Sequence, residues 1–131
     1  MRAMNFVSLW LHSLRWGRGI EDIPANDFRR GRPRWTPKNF AHNIQLVDAF
    51  GRMARQKGCT LGQPTLAWLL VQEKNMALIP GTRRDARFDE NFAALQVHIA
   101  GEENKQTRNL LNRAGIQGQR YPAEFMSRVG L

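Results

Sequence analysis

Groups suited to holding a phosphorylated ligand are concentrated in the segment IPGTRRDARFDEN, which runs from Ile79 to Asn91. An apolar run ends at Gly81, Thr82 follows, and three arginines come within the next five residues: Arg83, Arg84 and Arg87. Backbone N–H groups at the start of a helix attract anions, and a guanidinium can bind a phosphate through two parallel hydrogen bonds. The pattern therefore favours a site for a phosphate monoester where a strand passes into a helix.

The same segment ends with groups that can recognise a nucleotide base. At about 100° per residue, a helix over residues 84–95 has a polar face and an opposite apolar face. The polar face holds Arg87, Glu90 and Asn91, and the apolar face holds Phe88, Phe92 and Leu95. A carboxylate and an amide can hydrogen-bond an amine-bearing base edge, while we expect the apolar face to pack. A simpler interpretation is a solvated face with an i,i+3 ion pair.

The elements that must position this segment are mostly helices. A threonine followed by proline predicts the start of a first helix, a glycine predicts its end, and a T-x-x-Q capping pattern opens a second. The predicted elements are a helix from Thr36-Pro37 to Gly58, a helix opened by Thr60 and Gln63, a strand at Met76–Ile79, and helices over about 84–95 and 101–114. This order of elements indicates an α/β fold.

The composition of the chain limits the number of domains, the kinds of partner and the cellular compartment that we expect. A chain of 131 residues is one domain by length. The net charge is +9 and sixteen of the twenty basic residues are arginine, which favours phosphate, carboxylate or nucleic-acid partners. The single cysteine, Cys59, excludes an internal disulfide and favours a reducing compartment. No run reaches the roughly 18 apolar residues of a membrane span, so we expect a cytoplasmic protein without a membrane partner.

The segment IPGTRRDARFDENFAAL resembles the one that closes the barrel of the aldo-keto reductases, in the branch that includes pyridoxal-type reductases. Further segments match in order: GRG at 17–19, DFRR and PRW at 27–35, NFAHNIQLVDAF at 39–50, KGCTLGQPTLAWLL at 57–70 and RYPAEFM at 120–126. The resemblance implies that residues 17–131 form part of an aldo-keto reductase (NADP-dependent oxidoreductase) domain, preceded by a divergent segment at 1–16. The implied fold is the C-terminal portion of a (β/α)8 TIM barrel, incomplete, with its last strands and helices only.

The implied activity is NADPH-dependent reduction of a carbonyl to an alcohol by hydride transfer. By resemblance, Thr82 and Arg87 hold the adenosine 2′-phosphate of NADPH, with Gly81 at the same junction and Arg83 as an auxiliary. Glu90 and Asn91 contact the adenine. Gly17 and Gly19 approach the pyrophosphate.

The resemblance does not extend to catalysis. The family uses an Asp, a Tyr, a Lys and a His from the first half of the barrel, whereas the one tyrosine here, Tyr121, matches the tail. We therefore expect no catalytic residue, no metal site and no reduction by this chain alone. A complete barrel needs about 250 residues, so we also expect a truncated or misread gene product. An open barrel exposes strand edges and apolar faces, which favours self-association.

Two alternatives use other features of the sequence. Residues 30–33 read RGRP, like the core of an AT-hook that lies in the narrow minor groove of A·T tracts. This motif favours a basic nucleic-acid-binding protein. The second alternative is a non-catalytic interaction fragment that docks on a full-length relative.

Overall fold

The computed structural model describes residues 19–127, so Gly17 and the divergent segment 1–16 lie outside the described residues. The α-helices within this range are α1, Pro37–Gln56; α2, Gly62–Leu70; α3, Asp85–Ala93; α4, Gly101–Ala114; and α5, Ala123–Met126. Short 3-10 turns occupy Ile20–Asp22, Phe28–Gly31, Pro33–Trp35 and Ala94–Gln96. None of the described helices is long and apolar enough to cross a bilayer.

Helix α1 begins and ends where its local signals predict. The Thr36 hydroxyl accepts a hydrogen bond from the Asn39 N–H at 3.4 Å, and Pro37 occupies the first turn. Gly58 lies just beyond the helix at a φ of 62°, and it donates its N–H to the Arg55 carbonyl at 3.3 Å. Because only glycine adopts this left-handed conformation readily, it is the residue suited to this helix end.

Helix α2 lies at the centre of the described residues. Most of its side chains are buried, and Leu69 is fully enclosed. Half of the predicted capping box is present, since the Thr60 N–H donates to Oε1 of Gln63 at 2.9 Å. The hydrophobic core between α1 and α2 is completed by the N-terminal turns and by the segment after α3. Its buried members are Ile23, Trp35, Phe40, Val47, Phe50, Ala67, Trp68, Leu69 and Ile99.

The strand predicted at Met76–Ile79 is not formed. Residues 77–83 have no regular secondary structure, and residues 19–127 contain no β-strand. A strand is stabilised by hydrogen bonds to a neighbouring strand, and the described residues supply none. The prediction of this strand is therefore wrong for the described residues, which are helical, and these residues do not confirm the incomplete barrel.

Helix α3 packs with the opposite face from the one we expected. Phe88, Phe92 and Leu95 are exposed at 61%, 63% and 58%, whereas Asn91, on the polar face, is buried. The polar face lies toward α2 because Thr60, just before α2, and Gln63, in its first turn, donate hydrogen bonds to Glu90. The helical period correctly separates the two faces, but the hydrogen-bonding partner decides which one packs.

The C-terminal tail is tied back to the first half of the described chain. Asn43 on α1 donates to the Gln117 carbonyl and accepts from the Gln117 N–H, both at 2.9 Å. The Arg34 guanidinium donates to the Gly118 carbonyl at 3.1 Å. These contacts hold the segment after α4 against α1.

Candidate functional site

The loop before α3 presents the predicted phosphate-binding groups to solvent. Gly81, Thr82 and Arg83 are all exposed. The Thr82 hydroxyl accepts a hydrogen bond from the Arg84 N–H at 3.2 Å, which turns the chain into the helix. Because α3 has no side-chain cap, its first N–H groups remain available to an anion, although Asp85 in the first turn reduces the positive potential there.

Arg87 and Glu90 form an ion pair on the face of α3 that packs. The Arg87 guanidinium lies 2.5 Å from Oε2 of Glu90, and their side chains are 30% and 11% exposed. The i,i+3 pair is therefore present, as the simpler interpretation predicts. Arg87 still keeps enough exposed surface to meet a ligand, whereas the carboxylate of Glu90 is largely withdrawn from solvent.

Thr60, just before α2, and Gln63, in its first turn, also bind Glu90. The Thr60 hydroxyl donates to Oε1 of the carboxylate. The Gln63 side-chain amide donates to the Glu90 backbone carbonyl at 3.1 Å. The sequence places Thr60 and Gln63 in a capping pattern, but that local signal does not reveal their contact with a residue about thirty positions away.

Asn91 lies at the wall of an apolar groove. The groove has a volume of about 500 Å³ and is lined by α2, by residues 77–80 and by the apolar face of α3. The Asn91 side-chain nitrogen is buried and has no hydrogen-bond partner within the described chain. A buried amide that lacks a partner is costly, so this group is a candidate for pairing with a bound molecule.

The two glycines expected at a pyrophosphate are not joined to this cluster. Gly17 lies outside the described residues. Gly19 accepts its backbone bond from the Asp22 N–H at 3.2 Å and donates its own N–H to the Asp22 carboxylate at 2.9 Å. Within residues 19–127, no hydrogen bond or ion pair connects Gly19 to residues 79–91.

The titratable groups elsewhere have structural contacts. The Tyr121 ring lies 4.6 Å from the Arg32 guanidinium carbon and 4.9 Å from that of Arg120. Burial raises the pKa of the Cys59 thiol against the opposing charge of Lys57, which keeps it neutral at physiological pH and weakens it as a nucleophile. No three metal-ligating side chains gather anywhere in residues 19–127.

The RGRP motif lies in 3-10 turns, and its first arginine is already engaged. Arg30 donates to the backbone carbonyls of Ile23 at 2.9 Å and Ile20 at 2.8 Å. A minor-groove arginine needs its guanidinium free for the DNA. This hydrogen bonding therefore does not favour the AT-hook interpretation.

Comparison with known proteins bears on the same segments. The chain is 38% identical over 109 residues to the aldo-keto reductase yakc [NADP(+)] of Schizosaccharomyces pombe, covering 83% of this chain and 32% of the relative. It is 37% identical over 110 residues to an aldo-keto reductase of Gibberella moniliformis, covering 84% and 33%. It is 33% identical over 100 residues to the aldo-keto reductase str7 of Strobilurus tenacellus, covering 76% and 30%.

The chain thus spans about a third of the length of the curated relatives it matches. No solved structure matches it significantly. The sequence profile of the aldo/keto reductase family matches residues 15–112, a range that includes the loop before α3, the Arg87–Glu90 pair and the residues of α2 that hold it. The chain belongs to the aldo/keto reductase family, whose members are oxidoreductases with the TIM-barrel fold.

Proposed function

We propose that this chain carries the adenosine end of an NADP(H)-binding site of an aldo-keto reductase. The observation that supports this most directly is the position of Arg87, which Glu90 holds in the first turn of α3, a few residues after the exposed loop that contains Thr82. In this proposal residues 17–131 are a partial reductase domain and residues 1–16 a divergent extension. The name of the S. pombe relative includes NADP(+), which agrees with this choice of cofactor.

In this proposal the groups around the start of α3 bind the 2′-phosphate. The Thr82 hydroxyl and the Arg87 guanidinium bind it, Arg83 adds a second positive charge, and Gly81 leaves space for the approach. A dianionic phosphate is favoured here by the helix N-terminus and by charge-assisted hydrogen bonds. NADH lacks this phosphate, so the same groups would set the preference between the two cofactors.

In this proposal Asn91 and Glu90 contact the adenine. The unpartnered Asn91 nitrogen is a donor that a ring nitrogen of the base can accept from. Glu90 contributes to the shape of this part of the site while its carboxylate remains bound to Arg87. Gly17 and Gly19 are assigned to the pyrophosphate, which joins the two halves of the cofactor.

When bound, NADPH supplies the hydride that reduces a carbonyl. This chain's own contribution is binding and orientation of the cofactor, because the described residues do not present the tyrosine and lysine pair of the family. We therefore propose that the chain alone binds NADPH without reducing a carbonyl substrate. The single cysteine supports a cytoplasmic location for this function.

The test is a fluorescence titration of the purified chain with NADPH and with NADH. We expect NADPH to bind more tightly, and Arg87→Ala to weaken NADPH by about 10- to 100-fold, the loss of one hydrogen bond to a charged group. Arg108, exposed on α4, provides a matched control, because Arg108→Ala removes the same charge outside the site. Equal affinity for both cofactors, or an equal loss in the two variants, would contradict the proposal.

A second candidate function is interaction with another protein chain. Three exposed apolar residues support it, since Phe88 and Phe92 of α3 and Leu95 of the following turn all line the groove. A face of this kind is typical of association surfaces. Sedimentation across a range of protein concentrations, with Phe92→Lys as the variant, separates a defined dimer from a monomer.

A further inference from the structure

Glu90 is the point at which α2 and α3 are joined by polar contacts. Its carboxylate accepts from the Thr60 hydroxyl through Oε1 and from Arg87 through Oε2. Gln63 braces the arrangement by accepting from the Thr60 N–H at 2.9 Å and donating to the Glu90 carbonyl at 3.1 Å. Both carboxylate oxygens are thus committed to different partners.

Because the Glu90 side chain is largely buried, its carboxylate depends on these hydrogen-bond partners for stabilisation. With its side chain 11% exposed, the carboxylate exchanges little with water and depends on the donors that surround it. Arg87 is held through one oxygen only, at NH1, so its other N–H groups remain available for a phosphate. Because the long Arg87 side chain is already held in place, it loses less conformational entropy when a ligand binds.

The single-oxygen contact follows from the Thr60 hydroxyl. If that donor is removed, Oε1 of Glu90 loses this hydrogen bond. The carboxylate can then turn toward Arg87 and bind it through both oxygens, the arrangement that arginine and carboxylate favour. Arg87 would then offer less charge and fewer N–H groups to a phosphate.

We propose that Thr60 is a positioning residue for the 2′-phosphate, acting through Glu90 on Arg87, and that it thereby sets the preference for NADPH over NADH. Thr60 touches no part of the cofactor in this scheme. The inference rests on the proposed cofactor site, and it adds a residue of the turn before α2 to a 2′-phosphate site that the sequence places on α3 and its preceding loop.

The experiment compares Thr60→Val with Thr60→Ser in the full chain by two measurements. The first is the ratio of the dissociation constants for NADH and NADPH. We expect Thr60→Val to lower this ratio by about two- to tenfold, the effect of one lost hydrogen bond, and Thr60→Ser to restore it. Thr65→Val is the control for the same substitution, because Thr65 lies nearby, within α2, and its hydroxyl donates to the Leu61 carbonyl at 3.1 Å instead.

The second measurement is the NMR signal of the Arg87 Nε–H, which reports on the ion pair without any cofactor. It should shift in Thr60→Val and return in Thr60→Ser. An unchanged signal, or an unchanged cofactor ratio in a selective wild-type protein, overturns the inference. If the wild type shows no preference for NADPH, the proposed site and the cofactor part of this inference both fail, and the NMR signal alone decides whether Thr60 positions Arg87. Because Thr60 is exposed, we expect the valine variant to fold.

Discussion

The same substitution at two buried asparagines, Asn43 and Asn91, should change the stability of the protein in opposite directions. Asn43 is 0% exposed and forms two hydrogen bonds of 2.9 Å with the backbone of Gln117. Asn91 is 9% exposed, and its side-chain nitrogen has no partner within the described residues. Replacement by leucine, which is close in shape and apolar, should therefore destabilise the protein at Asn43 and stabilise it at Asn91.

The magnitudes follow from the partners left behind. Asn43→Leu leaves both the N–H and the carbonyl of Gln117 without their side-chain partner, and we expect a loss of about 2–4 kcal/mol in the free energy of unfolding. Asn91→Leu removes a buried donor that no described group satisfies, and the adjoining groove has room for the larger side chain. We expect a gain of about 1–2 kcal/mol, within the range of the penalty for an unpaired buried group.

Urea unfolding of the wild type and the two variants measures both changes, provided that the slope of each transition stays constant. Comparable destabilisation by both substitutions would refute the reasoning, since it would mean that the Asn91 amide is hydrogen-bonded in solution. A titration with NADPH adds a second criterion. If Asn91 contacts the adenine, the stabilised Asn91→Leu variant should bind NADPH more weakly, a trade of function for stability that is common at binding sites.

Two further predictions concern stability alone. Gly118→Ala should lower the free energy of unfolding by roughly 1–3 kcal/mol, because Gly118 has a φ of 87° and an added Cβ would lie 2.8 Å from the Pro33 carbonyl. Thermal unfolding should show a lower midpoint for this variant. Gly101→Ala is the control, because an added Cβ at Gly101 meets open space and should not lower the midpoint. The hydrogen bond from Lys57, at 2.9 Å, is the main cause that lowers the pKa of Glu103. The Lys57–Glu103 pair contributes its full stabilisation above the pKa of an unfolded glutamate, about 4.3. This stabilisation is lost as the pH falls through the lower pKa that Glu103 has in the folded protein. Unfolding measured from pH 7 to pH 3 should therefore be less pH-dependent in Glu103→Gln, and an identical pH profile would argue against the pair.

The helices with strong local signals were predictable from the sequence. Thr36, Pro37 and Gly58 fix the ends of α1 through contacts within a few residues of each end. Helix α4 has the predicted bounds, Gly101–Ala114, and ends before Gly115 at a φ of 62°. Capping interactions of this kind are short in range, so a sequence window contains both partners.

The predicted strand failed for the opposite reason. Met76–Ile79 has the composition of a buried strand, but β-structure depends on a partner segment elsewhere in the chain. The described residues contain no such partner. An apolar run of four residues therefore shows only that the segment prefers burial, and it does not establish that a sheet is there to bury it.

The candidate site combines both kinds of information. The Arg87–Glu90 pair was predictable because its members are three residues apart on one helix, whereas the contact of Thr60 with Glu90 spans 30 residues and depends on how α2 and α3 pack. The contacts that orient Arg87 come from these two helices and their preceding residues, not from a strand. The arrangement of the proposed phosphate site therefore depends on the α2–α3 contact. Loss of NADPH selectivity on disrupting that contact at Thr60 would show that the packing of α2 and its preceding turn against α3 maintains the site.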